Sequence, residues 1–243
     1  MDLRHITVDG DTTRRRVLLS GMRLGTAEAR ELEAVFTELA ELADLRVVVL
    51  GSAGDDFCPG PADDLDPLYG GVDPVAAIAA LSCPVVVALR GHTGSVGLEI
   101  ALAGDIRLAQ TGATFALTDI GDTRLPCWGG TQRLPRLAGR SVAAMMLLAA
   151  ARLDTDEAVR SGLVYRAVDS VDAAIEELAE QLAGLAPLAL AAAKEALAVG
   201  PELPMQQALE FEGDLNHLLQ TTADRAEGLH AFFEKRTASF EGR

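Results

Sequence analysis

Aromatic side chains are scarce in this sequence: Phe, Tyr and Trp make up 4% of 243 residues, with a single Trp. A core with so few rings has to be assembled from Ala, Leu and Val, which suits close helix–helix and helix–sheet packing. Cysteine is equally sparse. Cys58, Cys83 and Cys127 are odd in number and have no C-x-x-C spacing, so neither a disulfide framework nor a zinc site is legible and a reducing cytoplasm is the expected compartment. Positive charge is outweighed, with 36 acidic against 21 basic residues and a formal charge of −15. That balance argues against nucleic acid or an anionic membrane as the main partner, although a few local Arg or Lys side chains can still hold a small anion. Long hydrophobic runs are missing too. The longest, residues 142–151, has about half of the ~20 residues needed to span a bilayer. The first stretch of chain is charged and lacks the apolar segment of a secretory signal. A soluble, cytoplasmic protein with no metal site is expected.

The apolar residues that are present fall into strand and helix periods. Residues 6–8 and 17–19 flank Asp9, Gly10 and Asp11 and read as a hairpin with a polar turn. The basic run Arg14, Arg15 and Arg16 reads as a solvated strand edge. Leu32, Val35, Phe36, Leu39 and Leu42 recur at helical spacing, giving an amphipathic helix over 26–42. A β-branched run at 46–51, the apolar strand at 85–89, strands at 105–109 and 114–117 and a last strand at 165–168 alternate with helices. One helix is expected near 75–80, one begins about Val96, and from Gly129 onward the chain is mostly helical. Asp154 and Glu157 have capping-box spacing. Three helical segments are expected after the last strand. Continuous apolar strands alternating with helices indicate an α/β core around a buried, largely parallel sheet. Residues 1–170 form this core and 171–243 a helical C-terminal region of the same continuous domain.

Chemistry concentrates in residues 85–105, where a buried strand feeds a glycine-containing turn that opens a helix. Such a helix start presents unpaired N–H groups and a positive dipole end, suited to an oxygen that develops negative charge. The glycines Gly91, Gly94 and Gly97 are spaced G-x-x-G-x-x-G, unlike the dinucleotide fingerprint, and the strand comes late in the chain. A nucleophile elbow at Ser95, with His217 or His230 following, lacks its first glycine because Thr93 stands there. The remaining reading makes the helix start an oxyanion site with Glu99 one turn in. Asp119, on the loop after the next strand, supplies a second carboxylate. Paired acid–base chemistry needs one group ionised and the other protonated, and proximity pushes their pKa values apart.

At this point the residues resemble the enoyl-CoA hydratase/isomerase, or crotonase, superfamily. The segments that carry the resemblance are Arg46-Val-Val-Val-Leu-Gly51 with Asp56-Phe-Cys-Pro-Gly60, then Gly91 through Asp105 followed by Ile106-Arg-Leu-Ala109. Gly129-Gly-Thr-Gln-Arg-Leu-Pro-Arg-Leu-Ala-Gly139, Gly162-Leu-Val164 and Ala231-Phe-Phe-Glu-Lys-Arg236 complete them, all in the family's order. The resemblance implies a spiral of ββα units with a helical trimerisation region, assembled as a homotrimer or hexamer. It implies chemistry on an acyl-CoA thioester, with coenzyme A as part of the substrate and no further cofactor. By position, Glu99 and Asp119 match the two acids, and Val96, beside Gly97, matches the oxyanion donor at the helix start. Phe232 and Lys235 match positions that touch coenzyme A, often on a neighbouring subunit. In hydratases of this kind one acid takes a proton from water and the other protonates the α-carbon.

Departures from the family's pattern bear on the reaction. Its loop usually reads F-x-x-G-A-D, with the alanine N–H as the other oxyanion donor. Here Gly60 is followed by Pro61 and Ala62; an ungapped alignment puts Pro61 at the donor, whereas a one-residue insertion puts Ala62 there. Asp119 replaces a glutamate, and Asp122 is a possible substitute for it. Ser95-Val96-Gly97 stands where Gly-Gly-Gly is common, and Cys127 with Trp128 narrows the acyl pocket, with packing the preferred role. The stretch 65–74 is short, and the usual N-A-L segment between Ser20 and Thr26 is missing. Water addition to an enoyl-CoA is the leading expectation. A specialised isomerase or dehydratase and a non-catalytic acyl-CoA-binding member are the alternatives.

Overall fold

A computed structural model describes residues 3–66 and 71–243. The chain begins with β1 (Thr7–Gly10), β2 (Arg14–Leu19), α1 (Thr26–Ala40), β3 (Val47–Ser52), α2 (Pro74–Ala79) and β4 (Val85–Leu89). It continues through β5 (His92–Gly94), α3 (Val96–Ala103), β6 (Ile106–Gln110), β7 (Thr114–Ala116), α4 (Gly130–Leu148) and β8 (Arg152–Leu153). It ends with α5 (Thr155–Arg160), β9 (Arg166–Val168), α6 (Val171–Ala183), α7 (Pro187–Val199), α8 (Met205–Gln220) and α9 (Ala223–Glu234).

The main sheet has the order β1-β2-β3-β4-β6-β9 and is parallel except for the β1–β2 hairpin. β2 thus lies inside the sheet, which corrects the reading of Arg14 to Arg16 as a strand edge: β1 is the edge. Arg16 pairs with Glu176 at 2.6 Å and Arg14 with Asp11 at 3.6 Å, so two of the three cations are met locally.

All residues of β3 and β4 are buried because both faces of the sheet are covered. Strand alternation sends Val48, Leu50, Val85, Val87 and Leu89 to the face holding α1, α2 and α3. Val47, Val49, Val86 and Ala88 point the other way, onto Val171, Ile175, Ala179 and Leu182 of α6. α6 therefore packs on the sheet with the core, and the chain is continuous in packing across residue 170. A helix of this kind is apolar for burial. Among the described residues no single helix is long and apolar enough to cross a membrane, although α6 with the bent segment after it passes that test by composition.

Beyond α6 there are three more helices, so the C-terminal region holds four where the sequence suggested three. The extra boundary is proline chemistry: Pro187 opens α7 and Pro204 precedes α8, while the Thr222 hydroxyl caps α9 by accepting from Arg225 N–H. Neither α7 nor α8 buries any residue. The tail is tied back: the Arg46 guanidinium donates to the Ala183 and Phe240 carbonyls, and the buried Asp224 carboxylate accepts from Glu241 and Gly242 N–H.

Candidate active site

The segment between β4 and α3, expected to be a plain turn, contains a strand. β5 pairs in parallel with β7 and builds a second sheet with β8, its three residues being too few and too glycine-rich to register as a strand period. Gly91 permits the bend into it, with φ +52; a Cβ there would lie 2.2 Å from the Asp56 carboxylate and 2.3 Å from the Asp55 carbonyl. Asp56 in turn accepts from His92 N–H at 2.6 Å. Gly97 lies where α3 meets the 57–61 loop, and a Cβ on it would sit 2.4 Å from the Cys58 carbonyl. These glycines serve close approach of chain to chain, not phosphate binding.

Ser95 precedes α3 with φ 44 and ψ −118, a left-handed conformation that a side chain rarely adopts. Its hydroxyl lies 3.5 Å from that of Thr118. His217 and His230 are exposed on α8 and α9, and among the described residues neither is hydrogen-bonded to Ser95, so no nucleophile–base pair exists. Ser95 N–H donates to the Ala116 carbonyl, whereas Val96 N–H and Gly97 N–H have no backbone or side-chain acceptor among the described residues. Those donors are the open first turn of α3.

One turn on, Glu99 is fully buried. Its Oε1 accepts from Trp128 N–H and Gly130 N–H, each at 2.8 Å, while Oε2 has no partner. Burial pushes its pKa from 4.5 up to about 7, against the pull of those two N–H groups, and the nearby Asp119 charge adds to the rise. Asp119 opens a single 3-10 turn, Asp119–Asp122, and is 7% exposed with Oδ2 also unpartnered. Two buried carboxylates are thus near enough to interact, and Glu99 Oε2 and Asp119 Oδ2 both lack a hydrogen-bond partner among the described residues. Asp122 does not take part: it is exposed and lies 3.3 Å from Arg124.

Two N–H groups that fix Glu99 were missed by sequence reasoning. Trp128 and Gly130 belong to a recognisable motif, but nothing in one sequence says that their amides converge on a carboxylate thirty residues earlier. The Trp128 ring is buried, its Nε1 donating to the Val72 carbonyl at 3.0 Å. Cys127 is exposed, so it is not packed into a core as expected. Its thiol pKa is raised by partial burial and by the charges of Glu99 and Asp119, which places it at the edge of the carboxylate pair.

The opposite wall is the loop carrying Gly60, Pro61 and Ala62. Leu24 N–H donates to the Gly60 carbonyl and Ala62 N–H to the Leu24 carbonyl, both in a parallel bridge centred on Leu24 and Pro61. Ala62 N–H is therefore already occupied, at 2.8 Å. The Pro61 carbonyl is held by Arg23 Nε at 2.7 Å, a contact that the missing N-A-L segment did not suggest.

The two remaining site residues lie apart from this cluster. Phe232 is 77% exposed and stacks edge-on with Phe233, while Lys235 caps α9 in a left-handed conformation. Among the described residues neither forms a hydrogen bond, ion pair or ring contact with the elements around Glu99.

Comparison with known proteins fits this geometry. The enoyl-CoA hydratase/isomerase family model matches residues 24–243. (E)-Benzylidenesuccinyl-CoA hydratase of Thauera aromatica is 34% identical over 226 residues, covering 87% of this chain and 88% of that protein. The 2,3-dehydroadipyl-CoA hydratase of Escherichia coli is 39% identical over 171 residues, 69% of this chain and 67% of its own. Among solved structures, enoyl-CoA hydratase from Bacillus anthracis superposes with a TM-score of 0.89 at 33% identity, over 99% of this chain and 100% of that one. The α/β architecture is therefore the crotonase fold, and the chain belongs to the enoyl-CoA hydratase/isomerase family.

Proposed function

We propose that the chain is an enoyl-CoA hydratase-type lyase, adding or removing water across the α,β double bond of an acyl-CoA. The observation that carries this reading is the pair of buried carboxylates with open oxygens, Glu99 Oε2 and Asp119 Oδ2. An unpaired buried carboxylate oxygen is costly and persists where it has a task. Two such acceptors side by side suit the two O–H bonds of one water. Glu99, anchored by Trp128 and Gly130, takes the proton of that water; Asp119 returns a proton to the α-carbon. Val96 N–H at the start of α3, with Gly97 beside it, receives the thioester oxygen as negative charge develops there. Named hydratases among the relatives support the same direction.

The substrate's coenzyme A end belongs, on this proposal, against Phe232 and Lys235 of a neighbouring copy in a cytoplasmic homotrimer or hexamer. Supporting it, no residue of α7 or α8 is fully buried within the chain, and Leu197, Met205, Phe232 and Phe233 are each at least 75% exposed. Apolar area on that scale normally faces a partner. The direct test is loss of the enoyl-thioester absorbance band on incubation with crotonyl-CoA and substituted enoyl-CoAs. Absence of hydration across short, medium and aryl substrates would sink the proposal.

A further inference from the structure

The two walls of the proposed oxyanion site are not equivalent. On the α3 side Val96 N–H is free of any acceptor among the described residues. On the loop side Leu24 bonds both of its backbone groups to residues 60 and 62, so Pro61 turns its own nitrogen away from Leu24. Three residues earlier on the same loop, Cys58 bridges Thr93 and lies against Gly97, in the first turn of α3. The one loop nitrogen left turned away from the Leu24 bridge is thus a proline's, with no hydrogen to give. Ala62 cannot take over, because its N–H is spent on Leu24. Both ends of the loop are fixed, by the Leu24 bridge and by Arg23 on the Pro61 carbonyl, so a register shift that would free Ala62 breaks three hydrogen bonds.

Hydration sends the oxygen of water to Cβ while the π pair of the double bond moves onto Cα and the thioester oxygen; a proton then arrives at Cα and the charge is discharged. Loss of one oxyanion donor slows such a step about 10²–10³-fold. A substrate that spreads the charge elsewhere is spared that loss. We infer that this chain acts on acyl thioesters whose α-carbon carries a second charge-delocalising group, an aryl ring or a further carbonyl. The inference rests on the hydratase reading and narrows its substrate class. Simple straight-chain enoyl thioesters, which depend wholly on the thioester oxygen, are its poor substrates.

The test compares crotonyl-CoA with its 2-phenyl and 2-acetyl derivatives, using wild-type protein and Pro61→Ala, which restores the missing N–H. Wild type is expected to hydrate one of the substituted substrates at least about ten times faster than crotonyl-CoA. Pro61→Ala is expected to accelerate crotonyl-CoA hydration about 10²–10³-fold, the range one donor supplies, and to change the substituted substrate less than about threefold. In parallel, the carbonyl stretch of a bound, carbon-13-labelled thioester analogue should move to lower frequency in Pro61→Ala. Wild-type turnover of crotonyl-CoA as fast as either derivative overturns the inference while leaving the hydratase reading intact; so does an unmoved rate and carbonyl band in a folded Pro61→Ala. Because the wild-type comparison needs no variant, it decides even if Pro61→Ala fails to fold. No hydration of any of the three by either protein removes the hydratase reading and the inference with it.

Discussion

Every residue of α3 is buried, whereas α7 and α8 bury none. The contrast separates two kinds of functional surface. Around α3 the parts of the proposed acid–base apparatus come from within the chain: β4 and β5 set the helix start, and Trp128 and Gly130 fix one oxygen of Glu99. Such a site is preorganised before any ligand arrives, which is where electrostatic catalysis gains most. Around α7 to α9 apolar side chains are exposed, and among the described residues no carboxylate pairs with Lys235. On the proposal above, that surface is finished by a neighbouring copy and the substrate. The chemistry is therefore expected to survive damage to the C-terminal helices better than binding does.

The sharpest way to break this contrast is Glu99→Gln. The amide oxygen keeps the bonds from Trp128 and Gly130, so the fold is retained, while the base is lost. Hydration kcat is expected to fall about 10²–10⁴-fold, the range for a general base, with KM nearly unchanged. A loss smaller than tenfold in steady-state assays would remove Glu99 from the proton transfer.

The same residue sets a pH dependence of intermediate size. Its pKa is raised from 4.5 to about 7, so the unprotonated base is scarce below 7. The kcat/KM for hydration is expected to rise about tenfold per pH unit up to about 7 and then level off. Stability runs the other way. The folded state holds the Glu99 proton more tightly than the unfolded state, so stability is full below the unfolded value of 4.5 and declines as pH rises to about 7. The decline amounts to about 3 kcal/mol. Glu99→Gln has no charge to bury, so denaturant titrations should show the variant gaining on wild type by that amount between about pH 4 and pH 8. Parallel curves would mean that Glu99 is not strained by its burial.

The same two regions differ in how much a reader of the sequence can see. The strands of the main sheet announce themselves as apolar runs, and α1 by Leu32, Val35, Phe36 and Leu39 on one face. Glu99 and Asp119 stand out as candidates because one lies a turn into a helix and the other on the loop after the next strand, where the resemblance places two acids. Hydrogen-bond occupancy is another matter. Whether Ala62 has a free N–H depends on Leu24, which comes to it across the fold, and no local pattern encodes that. β5 escapes the pattern because three residues cannot show a period, and the fourth C-terminal helix because its boundaries are set by Pro187 and Pro204 and not by a buried apolar stripe. Sequence patterns report burial; they do not report which amides are already taken.

The smallest expected effect tests the unfinished surface. Lys235 is exposed and sits at the end of α9, and an exposed charge contributes little to folding. Lys235→Gln should leave the melting temperature and kcat unchanged and raise KM for acyl-CoA about 3- to 10-fold, roughly 1 kcal/mol for one exposed ion contact. The increase should shrink as salt screens the contact. A mixture with Glu99→Gln, exchanged into common oligomers, tells which chain the lysine serves. If Lys235 of one copy meets substrate bound at Glu99 of another, mixed oligomers contain sites with both residues intact, and a fraction with both wild-type kcat and low KM reappears, a combination that neither variant has alone. If each chain uses its own lysine, no such site can form, and the mixture shows only the KM of Lys235→Gln.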